Sequence, residues 1–136
     1  MLLLMAFRGR STDRENLRKY QREEWGVFDG ETCVIELSGL PANSFKVPRE
    51  RDLFRQERIK VIRQRMDEYK PELVVMYGLS ETKHWERLAG CPFPPDNILA
   101  VESTIFALTP HPASRGLNDT YWMGLAERLR KAANHM

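Results

Sequence analysis

The chain has 136 residues, 42% of them hydrophobic and 29% charged, with 21 Lys plus Arg against 19 Asp plus Glu. That length suits one domain, residues 1–136, with one modest core, and a formal charge of +2 does not by itself indicate a nucleic-acid partner. Two cysteines, Cys33 and Cys91, exclude a dense disulfide scaffold, and no CxxC pair gives the spacing of a zinc site.

The opening MLLLMAF, residues 1–7, is apolar, but Arg8 follows too soon for a bilayer span, and the run lacks the core and cleavage pattern of a signal peptide. It reads as a first strand, or as the remainder of one whose preceding sequence and catalytic loop are missing. A cytoplasmic location and no membrane partner follow as defaults. Residues 11–24 carry Ser11 and Thr12 as candidate caps, acidic residues early and few apolar positions, which predicts an exposed helix. The dense β-branched and apolar run TCVIEL, Thr32–Leu37, predicts a strand buried on both faces, with Cys33 as a small buried hydrophobe. Gly39, Pro41, Asn43 and Pro48 turn the next segment into a loop.

From Arg49 to Tyr69, Ile59, Ile62, Met66 and Tyr69 recur at steps of three or four, with Leu53 and Phe54 as earlier contacts. This spacing lines one face of a long helix, which Lys70-Pro71 ends. Glu72–Gly78 predicts a central strand. SETKHWERLAG then predicts a short helix capped by Ser80, anchored by Trp85 and Leu88, and ended by Gly90 in a left-handed conformation. After the loop CPFPPDN, the runs ILAVES and TIFALTP are either two adjacent strands or one bent strand. The last helix begins near Asn118 or Asp119, and Trp122, Leu125, Ala126, Leu129 and Ala132 form its buried stripe.

Strands alternating with helices, each strand too apolar for a wet face, predict an α/β fold: a three-layer sandwich with a mostly parallel central sheet. Loops leaving the carboxyl ends of parallel strands converge on one edge, so SGLPANS, GLSETKH and TPHPASRG are the expected lining of a cleft.

Within TPHPASRG, His111 precedes Pro112, whose ring biases it toward extended backbone. An imidazole held there can donate to an oxygen that gains charge as a bond breaks, or can simply satisfy a loop hydrogen bond. Ser114 suits a phosphate contact or a turn. Arg115 suits a phosphate contact or a solvated surface, and Asn118 suits a helix cap more readily than a contact to nucleic acid.

The stretch ALTPHPASRGLNDTYWMGLAERLR, preceded by KPELVVMYGLSE and TCVIELSGLP, resembles the uracil-DNA glycosylase-like superfamily across about residues 30–134. The order of these motifs is more specific than the His-Pro pair by itself. The resemblance implies the family's sandwich fold and excision of uracil or a related deaminated base from DNA, single-stranded or damaged double-stranded, by hydrolysis of the N-glycosidic bond. It gives His111 the role of hydrogen-bonding the departing pyrimidine, and Pro112, Ser114, Arg115 and Asn118 contacts to nucleic acid. Phe7, Glu36 and Ser38 fall where a base pocket is expected. No cofactor or metal is implied, since two cysteines cannot hold the four-cysteine iron-sulfur cluster of some branches.

Two departures bear on catalysis. HPASRG replaces the usual HPSP-like pattern, with Ala113 for a hydroxyl residue, Ser114 for a proline and Arg115 where an apolar wedge is common. The glycine-rich loop that places the water has no equivalent in LLLMAFRGRSTD, where Asp13 is the nearest carboxylate. Two functions therefore stay open: a base-excision enzyme, and a non-catalytic nucleotide or nucleic-acid binding module with the same fold. Between Lys46 and Lys70, nine basic residues face five acidic ones, and a solvent face carrying Arg51, Arg55, Arg58 and Arg65 would track phosphate.

Overall fold

Short apolar runs do not declare their secondary structure by periodicity, and the opening segment shows why. Leu2–Phe7 is a helix, α1, and not the expected first strand. Leu, Met and Ala favour helix, and burial of Leu3, Met5, Ala6 and Phe7 is achieved by packing α1 on the C-terminal helix. A computed structural model of the chain describes residues 1–37 and 48–135. They fall into two compact units, Met1–Val34 with Pro110–Met136, and Ile35–Thr109.

In the first unit, α2 spans Arg14–Glu23. Its cap is Asp13 rather than Ser11 or Thr12, because the Asp13 carboxylate accepts the Asn16 backbone N–H at 2.9 Å while Ser11 donates its hydroxyl to the same carboxylate. Tyr20 is the buried anchor of α2, edge-on to Trp25 and beneath the Arg10 guanidinium, 5.6 Å from its ring centre. The Tyr20 hydroxyl donates to Glu31, which also pairs with Arg10 at 3.3 Å. The last helix of the chain, called α5 below, spans Asp119–Ala133 and buries Leu125, Ala126 and Leu129. Trp122 and Ala132, at the margins of the predicted stripe, are half-buried.

In the second unit, α3 spans Pro48–Tyr69, β1 Leu73–Tyr77, α4 Thr82–Ala89, β2 Ile98–Val101 and β3 Thr104–Thr109. The sheet has the order β1-β3-β2, with β1 parallel and β2 antiparallel to β3. The connection dictates each direction. From β1 the chain crosses through α4 before reaching β3, whereas only Glu102 and Ser103 separate β2 from β3, and a two-residue hairpin permits antiparallel pairing alone. The expected three-layer sandwich with a mostly parallel sheet is thus corrected to a small α/β fold with a three-stranded mixed sheet and about half helix.

The same correction removes the strand expected at Thr32–Leu37. Residues 32–36 have no regular structure, and Cys33, Val34 and Ile35 are exposed, so Cys33 is not a buried hydrophobe. At one end the Thr32 side-chain hydroxyl accepts the Gly26 backbone N–H at 2.8 Å, and at the other the Glu36 backbone carbonyl accepts Arg58 Nε at 3.1 Å. A β-branched composition is a preference that pairing must complete. Only Leu37 enters the core.

That core fills one face of the sheet. Val74 and Met76 of β1, Phe106 and Leu108 of β3, and Leu99 and Val101 of β2 share it through the period of two and the observed register, and Ile59, Ile62, Leu88 and Ala89 from α3 and α4 pack there. All six residues of β3 are buried, as suits its central place. The predicted stripe of α3 fades at its ends, where Leu53 and Tyr69 are exposed. Glu81, not the expected Ser80, holds the N-cap position of α4, with no side-chain cap bond, and Gly90 ends the helix at φ 87°. Among the described residues, no helix is long and apolar enough to cross a membrane.

Candidate functional site

The turn after β3 is built from its own hydrogen bonds. Thr109 closes the strand fully buried, its hydroxyl donating to the Met76 carbonyl at 3.3 Å and its carbonyl accepting the Gly78 N–H at 2.8 Å. His111–Gly116 is exposed throughout. The Ser114 backbone N–H donates to the His111 carbonyl at 2.8 Å, closing a β-turn with Pro112 at the position its fixed φ favours. Inside that turn the Ala113 N–H donates to His111 Nδ1 at 3.2 Å.

This last bond selects the tautomer. An N–H aimed at Nδ1 needs a lone pair there, so the imidazole proton sits on Nε2, directed away from the turn. The outcome is an Nε2–H donor on an exposed corner. Gly116, at φ 87°, turns the chain toward Asn118, whose carboxamide oxygen accepts the Tyr121 N–H at 3.0 Å. Asn118 therefore caps α5, and its oxygen is not free to read a nucleic acid. Among the described residues, Arg115 forms no ion pair, which leaves its guanidinium available.

Among the described residues, each remaining predicted position has its place within one unit. Phe7 is 6% exposed in the core of the first unit and offers no face on which a base stacks, so it is removed from the candidate pocket. Glu36 belongs to the second unit, exposed, with its backbone carbonyl held by Arg58. Ser38 and the SGLPANS loop lie outside the described residues. Asp13 spends both carboxylate oxygens on Asn16 and Ser11, and the Asn16 backbone N–H, followed by the Ser11 hydroxyl and the Asn16 carboxamide, holds its carboxyl down to about 2.

Two features of the second unit were not anticipated. Arg55 is not a solvent-facing phosphate contact: it packs on Glu81, 3.4 Å away, and His84, also at 3.4 Å, with 17% of its side chain exposed. Arg55 Nε and His84 Nδ1 are buried, with no hydrogen bond among the described residues. The signal in the sequence was the spacing of Glu81 and His84, one turn apart at the start of α4. The second feature is an open groove of about 570 Å3 along α3 and α4, lined by Lys60, Arg63, Lys83 and Arg87. A smaller concavity of about 370 Å3 lies beside Tyr20 in the first unit, and His111 lines neither. Compared with known proteins, the chain matches no family model, no curated protein and no solved structure.

Proposed function

We propose that this protein is a DNA base-excision glycosylase of the uracil-DNA glycosylase-like type, acting on uracil or a related deaminated base. The observation that carries the reading is the bond from the Ala113 N–H to His111 Nδ1, which leaves Nε2–H as the ring's outward donor. Hydrolysis breaks the bond between the sugar and the base nitrogen as water adds to the sugar carbon. The bonding pair leaves with the base and spreads onto the neighbouring carbonyl oxygen. A donor waiting at that oxygen contributes most when the charge is developed, which lowers the barrier more than it tightens substrate binding. The base must first leave the stack, at a cost of about a few kcal/mol. Phosphate contacts such as Arg115 help to offset that cost.

The test is single-turnover base release from uracil-containing single-stranded and mispaired DNA, read beside binding of the same strands. His111→Ala is expected to slow release by roughly 100-fold or more, about 3 kcal/mol of transition-state stabilisation, while affinity stays within about twofold. Equal release rates for the two proteins would sink this role. Arg115→Ala should weaken association and flatten its salt dependence.

A second reading, a nucleic-acid binding module without base release, is favoured by two observations. Phe7 is buried, and both oxygens of Asp13 are committed to capping α2. Retention of DNA with no abasic product from the unaltered protein selects it.

A further inference from the structure

We propose that the groove between α3 and α4 is a second nucleic-acid contact, a binding site for the sugar-phosphate backbone of DNA. It goes beyond the His111 chemistry and rests on that reading only for the choice of DNA as the phosphate-bearing strand. Two cations on each helix line the groove, Lys60 and Arg63 on α3, Lys83 and Arg87 on α4, against one carboxylate, Glu86. Glu86 is already engaged, accepting the Phe93 backbone N–H at 3.2 Å. Lys60 pairs with Glu57 at 2.7 Å, but that pair is exposed on both sides and so holds the ammonium weakly. Among the described residues, Arg63, Lys83 and Arg87 form no ion pair. A chain of net charge +2 thus concentrates uncompensated positive charge along one open channel.

The geometry suits phosphate on a strand. Residues three or four apart on a helix present side chains about 5–6 Å apart, so each helix offers a pair of cations at neighbouring positions along the channel. Arg63 is held in place at the end of α4, one guanidinium N–H donating to the Arg87 carbonyl at 3.0 Å beside Gly90. A carbonyl at a helix C-terminus attracts a cation, and a guanidinium has further N–H donors beyond the one bonded here, which suit the paired oxygens of a phosphate. Ile59, Gly90 and Pro92 add no polar side chain and Gln56 adds one carboxamide, so the four cations dominate the lining and favour contact to phosphate over base edges. Cys91 also lines the groove and is partly exposed, so it reports occupancy.

The test follows binding of labelled single-stranded and duplex DNA across a salt series. Lys83→Ala combined with Arg87→Ala, verified as folded by circular dichroism, should lower the slope of log affinity against log salt by nearly two, since each duplex phosphate no longer neutralised removes about 0.9. Lys131→Ala on α5, an exposed lysine paired with Glu127, should leave the slope unchanged. In a Cys33→Ser background, saturating DNA should protect Cys91 from a maleimide. An unaltered slope in the double variant, an unprotected Cys91, or no binding of DNA by the unaltered protein overturns the proposal. So does displacement of DNA by polyglutamate as effective as by an unlabelled strand, which would assign the groove to an acidic peptide. Base release is a separate readout, and its failure leaves each of these results as decisive as before.

Discussion

At the residue scale, a side chain near a turn acts through whichever backbone group it meets first. The His111 ring accepts the N–H two residues ahead, and that local bond decides which ring nitrogen faces outward. Asp13 shows the same logic with a charge. Its carboxylate accepts the Asn16 N–H and two side-chain donors, so the folded state favours the ionised form and its carboxyl lies near 2 against an ordinary 3.8. The stabilisation is complete above the ordinary value and is lost as pH falls from about 4 toward 2, because the unfolded chain takes up the proton first. Asp13→Ser keeps a capping oxygen and removes the titration. Acid unfolding of the two proteins should therefore diverge above pH 2 and converge below it, measured by helical circular dichroism. Parallel curves across that window would show that Asp13 does not contribute.

At the element scale, the ends of helices decide more than their middles. Asn118 caps α5 with its side-chain oxygen on the Tyr121 N–H, and Asp119 follows in the first turn, where its charge complements the helix dipole. Asn118→Ala should cost about 1 kcal/mol of stability in urea unfolding, and Asn118→Asp should recover most of it, since both residues cap well. The paired variants separate capping from nucleic-acid contact. If Asn118→Ala reduced DNA affinity while leaving the unfolding midpoint in place, the cap would not be its main role. The sheet teaches a related lesson, since its mixed direction comes from the two residues between Val101 and Thr104 and not from the composition of either strand.

At the scale of the whole molecule, the sum of charges is a poor guide to where an anion binds. The formal charge of +2 averages surfaces such as α2, where Arg22 meets Glu23 at 3.1 Å, with the groove of α3 and α4, where cations outnumber carboxylates. Removing two exposed cations from α2, Arg18→Ala with Arg22→Ala, changes the total as much as removing Lys83 and Arg87. It should leave the salt slope of DNA binding within about 0.3 of the unaltered protein, against a drop of nearly two for the groove variant. Equal drops would make overall charge, and not the groove, the source of affinity.

Features that depend on neighbours along the chain could be read from the residues alone. The helical period of Ile59, Ile62 and Met66, the punctuation by Lys70-Pro71 and Gly90, the cap at Asn118 and the run of β3 all act over one or two turns, and each was legible. Pairing was not, because a strand exists only where a second backbone completes its hydrogen bonds. MLLLMAF found its burial against α5 as a helix, and TCVIE, apolar enough for a sheet, met the Gly26 N–H at Thr32, the Arg58 side chain at Glu36 and no partner strand among the described residues. The candidate site divides in the same way. His-Pro announced a turn, and the geometry of that turn supplied the tautomer; Phe7 looked like an aromatic platform until packing buried it. The groove required α3 and α4 to be laid side by side, since Lys60 and Arg63 on one helix and Lys83 and Arg87 on the other share no spacing in the chain and acquire a common field only when their helices touch.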